Sequence, residues 1–151
     1  MKKLSSSFSS VTAEYLVAAE LSKQGFIASM TIKNMPGIDI VVADETASKV
    51  VGIQVKAKQD LANKKAWTLN AKDENRASDN LFYVFVDLAV SKNRETEFYI
   101  FPSHKVAKRI KEYHADFCKN TKNKNTSIRT FILRNGEKPS NWEVLGMKPK
   151  Q

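Results

Sequence analysis

Four residues in the first 60 have the types and spacing for hydrolytic chemistry: Glu14, Asp39, Gln54 and Lys56. The segment 38–43, IDIVVA, reads as a β-branched strand in which Ile38, Ile40 and Val42 line one face and Asp39 shares the other with Val41. In segment 49–58, alternation puts Val51, Ile53, Val55 and Ala57 on one face and Gly52, Gln54, Lys56 and Lys58 on the other. Gln54 and Lys56 therefore project together, about 6.6 Å apart. At 100° per residue, Glu14 falls within the arc of Val11, Val17, Ala18 and Leu21, whereas Glu20 and Lys23 point away. A carboxylate on an apolar face is costly unless it is paired, hydrogen-bonded or bound to a metal.

If the two strands form a hairpin and the first helix packs across it, two carboxylates, an amide and an ammonium converge. Such a set suits Mg²⁺, with Mn²⁺ as a substitute: Glu14, Asp39 and the Gln54 carbonyl oxygen supply hard oxygens, and the ion keeps several waters. Lys56 beside it would orient or deprotonate a water and steady charge growing on a phosphate. The chemistry served is phosphodiester hydrolysis. Each residue alone also has an ordinary reading: a helix-surface acid, a hydrogen-bonding Asp at a strand start, a solvated Lys. It is the joint pattern that points to a site.

The elements that must position these groups follow along the chain. Ser9 or Ser10 caps an expected helix to about Gln24, stopped by Gly25, with Val11, Tyr15, Ala18, Val17 and Leu21 as its apolar stripe. Strands are expected over 26–32, 38–43 and 49–58, with a turn at 34–37 and a hairpin connection at 44–48. Residues 67–69 form a short strand piece, and the polar segment 70–80 reads as loop or weak helix. The apolar LFYVFVDLA, 81–89, predicts a strand buried on both faces, and 97–101 a further strand. A helix opens at Pro102 or Ser103 and runs to about Cys118, with Val106, Ile110, Tyr113 and Phe117 on one side and Lys105, Lys108, Arg109 and Glu112 on the other. A basic loop over 119–127, a strand over 128–133 and a turn over 141–145 close the chain. This order predicts an α/β fold, a mixed central β-sheet flanked by helices, in a single domain over 1–151.

Twenty-five Lys and Arg stand against 16 Asp and Glu, a net charge of +9, which favours a polyanion such as DNA. Lys58, Lys64 and Lys65 lie near the proposed site as phosphate contacts, and Trp67 beside them is a candidate for stacking on an exposed base, or a half-buried core residue. No apolar run approaches the roughly 20 residues of a membrane span, and the opening MKKLSSSFSS has no apolar stretch, so no membrane partner and a cytoplasmic location are expected. The single cysteine, Cys118, excludes an internal disulfide and a multi-cysteine zinc site. His104 and His114 sit too far apart along one helix to share a metal.

In the order and spacing of AEYLVAAELSKQGF, PGIDIVV and VGIQVKAK, the chain resembles the PD-(D/E)xK nuclease superfamily, within the branch of archaeal Holliday-junction resolvases and related restriction-type endonucleases. The resemblance implies a restriction-endonuclease-like core of order αβββαβ. It also implies a Mg²⁺-dependent endonuclease acting on duplex or branched DNA, with Glu14, Asp39, Gln54 and Lys56 as site residues. Gln54 stands where the family usually has an acid, as it does in some members. Relatives of this kind are often two-fold dimers. Two other readings stay open: a nuclease fold that binds nucleic acid with weakened catalysis, and a complex-forming protein acting with a nuclease system.

Overall fold

The computed structural model describes residues 3–32, 36–60, 65–90, 94–121 and 127–147. Lys64, together with part of the turn expected at 34–37 and of the basic loop expected at 119–127, lies outside them.

Helix α1 spans Ser6–Lys23. Its cap is Ser5 rather than Ser9 or Ser10: the Ser5 hydroxyl accepts from the Phe8 N–H at 3.3 Å, and Ser9 lies inside the helix with its hydroxyl donating to the Ser5 carbonyl at 2.9 Å. Gly25, at φ 84°, ends the helical path. The buried stripe is Ser9, Ala13, Val17 and Leu21, one residue per turn, whereas Val11 and Tyr15 are exposed. The expected stripe was misplaced because α1 is small or apolar around most of its circumference, so periodicity alone selects no unique inner face. The small Ser9–Ala13 side is the one that docks.

Among the described residues, seven strands follow: β1 (Ile27–Met30), β2 (Ile40–Ala43), β3 (Val50–Gln59), β4 (Ala66–Asn70), β5 (Leu81–Leu88), β6 (Glu97–Pro102) and β7 (Ile128–Ile132). Helix α2, Ser103–Asn120, lies between β6 and β7. The main sheet has the order β1-β2-β3-β5-β6, with β3 and β5 parallel and the other pairs antiparallel. Strands β4 and β7 form a separate antiparallel pair. The class is therefore α/β with a mixed central sheet. The span between β3 and β5 is filled by β4 and a 3₁₀ turn, Ala71–Asn75.

Strand β5 is the centre of the molecule, and its residues alternate between two cores. Phe82, Val84, Val86 and Leu88 face α1 with Ile40, Val42, Val51, Ile53 and Val55. Tyr83 and Phe85 face α2 and β7 with Trp67, Tyr99, Phe101, Val106, Ile110 and Phe131. Because Gln54 pairs with Tyr83 and Lys56 with Phe85, the side chains of Gln54 and Lys56 emerge on the face opposite α1. As expected, the helix packs across the hairpin; it does so on the apolar face, where burial is favourable. On α2 only the first half is buried, so Tyr113 and Phe117 are exposed, and Arg109 is a buried partner of Glu137 through two bonds of 2.8 Å.

Candidate active site

Strand β2 pairs with β3 only as far as Ile40 opposite Ile53. Beyond that point, the β2-side edge of β3 has no strand partner among the described residues. Asp39, immediately before β2, occupies this end of the ladder. Its N–H donates to the Ile53 carbonyl at 2.8 Å, and its Oδ2 accepts the Val55 N–H at 2.7 Å and a further, very short bond from Gln54 Nε2. A carboxylate thus takes over the backbone donor that the ended strand leaves exposed.

The approach to Asp39 is held rigidly. Thr31 donates its N–H to the Asp39 carbonyl at 2.9 Å and its hydroxyl to the Ile38 carbonyl at 2.7 Å. The Ile38 side chain packs over Gly52, where an added Cβ would meet Ile38 Cδ1 at 3.2 Å. Burial pushes the Asp39 carboxyl above its ordinary value, opposed by the Val55 N–H, the Lys56 ammonium, the Gln54 amide and the Arg76 guanidinium.

Two oxygens of this set could meet a hard cation. Among the described residues, Asp39 Oδ1 and Gln54 Oε1 accept no hydrogen bond, and a cation would offset the burial cost of the carboxylate. Glu14 is half-buried on the flank of α1, one turn beyond Ser10 and on the same side, and shares no hydrogen bond with Asp39, Gln54 or Lys56. It is thus a border residue rather than an inward one.

From Val55 onward, the edge of β3 forms the floor of an open groove of about 700 Å³. One wall is the start of α1, with Lys3, Leu4, Ser6, Ser9 and Ser10; the other is β4, with Trp67 and Thr68. Among the described residues, Lys3, Lys56 and Lys58 line it with no acid, so the groove suits a polyanion. Gln59 fixes the first wall: its amide pairs with both the N–H (2.9 Å) and the carbonyl (2.8 Å) of Leu4 and donates to the Ser9 hydroxyl at 2.9 Å.

The structure thus brings Asp39, Gln54 and Lys56 together and sets Lys58 in the adjoining groove. Two expected nucleic-acid contacts fall elsewhere. Trp67 is 1% exposed, its indole N–H donates to the Val86 carbonyl at 3.0 Å, and its ring packs 5.3 Å from Phe85, so no ring face is left for a base. Lys65 is held by Glu97, by the Tyr99 hydroxyl at 2.7 Å and by Asp87 at 3.4 Å; against the cost of burial, Glu97 and Tyr99 raise its pKa. Its charge is spent inside the protein. Sequence reasoning missed Arg76, Asp73 and Tyr83. Asp73 is buried and accepts from the Tyr83 hydroxyl at 3.0 Å and the Asn70 N–H at 2.8 Å, and it holds Arg76 at 3.5 Å, beside Asp39. The available signal was a capping pattern, Asn70 followed three residues later by Asp73, inside a segment read as loop or weak helix.

Comparison with solved structures identifies two nucleases of similar shape. Hjc, a Holliday junction resolvase from the archaeal hyperthermophile Archaeoglobus fulgidus, superposes with a TM-score of 0.50 at 16% identity over 94% of this chain and 98% of its own. This chain has the restriction-endonuclease-like fold. A bacterial homing endonuclease is similar over 91% of this chain and 83% of its own, at 14% identity and a TM-score of 0.49. No family model and no curated protein matches the sequence. Among the described residues, no helix of this nuclease-like fold is long and apolar enough to cross a membrane.

Proposed function

We propose that the chain is a divalent-cation-dependent endonuclease that hydrolyses phosphodiester bonds in DNA. The observation that carries this reading is Asp39 at the end of β2, bonded to Gln54 and to Val55, the residue at which a groove lined by Lys3, Lys56 and Lys58 begins. The restriction-endonuclease-like fold supports it. The resolvase that shares the fold makes branched DNA the substrate to test beside duplex.

In this reading Asp39 and Gln54, with Glu14 from the neighbouring flank of α1, hold Mg²⁺ or Mn²⁺. The ion supplies positive charge at the attacked phosphate and makes water more acidic. Lys3 and Lys58 draw the DNA backbone along the groove, and Lys56 steadies the charge that grows on the phosphate oxygens. As the water oxygen bonds to phosphorus, the bond from phosphorus to one bridging oxygen breaks. The proton lost by water is matched by the one gained by the leaving oxygen. A two-fold dimer in the cytoplasm, placing two such sites on two strands, belongs to the same reading.

Purified protein tested on duplex, single-stranded and four-way-junction DNA with Mg²⁺ or Mn²⁺ checks this directly. Cleavage that requires the ion and disappears in Asp39→Asn and Lys56→Ala is the expected result; cleavage unchanged in both would refute the assignment. A second reading, a DNA-binding relative with weakened catalysis, has one observation of its own. Among the described residues, no three Asp, Glu, His or Cys side chains gather as a metal cluster. It predicts salt-sensitive DNA binding without turnover.

A further inference from the structure

The 3₁₀ turn Ala71–Asn75 carries the polar segment of the sequence to the same face of the sheet as Gln54 and Lys56, and Arg76 at its end reaches back across the turn that precedes Asp39. Gly37 makes that reach possible. It has φ 79°, and a Cβ there would lie 2.1 Å from Arg76 Nη1 and 2.5 Å from its Cζ, so the guanidinium rests directly against the glycine backbone. Two residues on stands Asp39, which feels the charges of both Arg76 and Lys56.

The anchor of Arg76 leaves it underused. Nη1 is 3.5 Å from Asp73 Oδ1, a long contact to an acid that already accepts from Tyr83 and Asn70. Among the described residues, nothing bonds its Nε or Nη2. A guanidinium offers five donors in a planar fork that matches two oxygens of a phosphate. Here the fork is half-buried, fixed from behind and placed beside a carboxylate that needs cations around it. A purely structural arginine at such a site would be expected to satisfy its donors within the protein, as Arg109 does with Glu137.

We propose that Arg76 is a catalytic residue that grips the non-bridging oxygens of the scissile phosphate, on the side of Asp39 defined by Gly37, as a second cation beside Lys56. This rests on the nuclease reading. It makes the phosphate seat a construction of two separate segments, β3 and the turn after β4. It also gives Gly37 a role in the site: it is the residue that leaves room for the fork.

The test pairs single-turnover cleavage with binding of inorganic phosphate. At saturating DNA, Arg76→Ala should lower the cleavage rate constant about 100-fold, the scale seen on removing one oxyanion donor, while DNA affinity changes only a few-fold; Arg76→Lys should restore only part of the loss. In the wild type, phosphate should shift the backbone amide resonances of Gly37 and Asp39, and in Arg76→Ala it should not. Wild-type cleavage by Arg76→Ala, or phosphate shifts that persist in it, would overturn the proposal. If the wild type cleaves no DNA while Arg76-dependent phosphate shifts remain, the anion seat stands and the nuclease reading falls. Should those shifts also be absent, both fall.

Discussion

Two regions of the molecule bring acids and cations together on the same face of the sheet, and they do it to opposite ends. At the far end of β5, Asp87 is fully buried and meets Arg94 at 2.7 Å and Lys65 at 3.4 Å, while Glu97 holds both cations and Tyr99 closes the group. Among the described residues, two acids answer two bases. At the end of β2, Asp39 faces Lys56 and Arg76, the latter also paired with Asp73 at 3.5 Å, and keeps one oxygen without a hydrogen bond among the described residues. A buried network balanced within itself is structural. One that leaves a carboxylate oxygen and guanidinium donors open is arranged to bind.

The largest effect that would sharpen this contrast is at Asp39. Asp39→Asn should abolish ion-dependent cleavage by about a thousandfold or more, roughly 4 kcal/mol of transition-state stabilisation, while the protein stays folded. The same substitution carries a pH signature. Burial raises the Asp39 pKa above the ordinary 3.8, so the native state holds a proton that the unfolded chain has already released. That stabilisation is present below 3.8 and is lost as pH rises through the higher native value. Denaturation across this window should therefore show wild-type stability falling relative to Asp39→Asn, with the variant equal to or more stable than the wild type at neutral pH. A wild type that gains relative stability there would contradict the environment described.

Next in size is the balanced cluster. Asp87→Asn leaves Lys65 and Arg94 without their buried acid and should cost about 3 kcal/mol in urea unfolding, without changing the ion dependence of any residual cleavage. A loss of ion dependence there would erase the distinction between the two regions. Smaller still, Trp67→Phe removes the donor to the Val86 carbonyl and should cost about 1–2 kcal/mol of stability, with DNA affinity unchanged. Weakened DNA binding at wild-type stability would return Trp67 to the nucleic-acid interface.

Much of this arrangement was legible in the sequence where local chemistry decides it. The alternation of 38–43 and 49–58 paired Asp39 with the Gln54 and Lys56 face, and the apolar run at 81–89 marked the doubly buried strand. What escaped depended on three-dimensional choices. Helix α1 offers more than one apolar side, so Val11 and Tyr15 were misplaced. Arg76 and Asp73 lie in a polar segment with no periodicity, and only the parallel pairing of β3 with β5 sets Tyr83, and the Asp73 bonded to it, beside Gln54. Lys65 looked like one of many surface lysines because its partners, Asp87 and Glu97, arrive from other strands.

The central claim is that the open oxygen of Asp39 belongs to a cation, and crystals soaked in Mn²⁺ test it most directly through anomalous scattering. The account predicts one ion about 2.1 Å from Asp39 Oδ1, with the Gln54 amide oxygen as a further ligand and waters filling the remaining positions. Its contradiction would be a fully occupied Mn²⁺ elsewhere in the molecule, with Asp39 still bonded only to Gln54 and Val55.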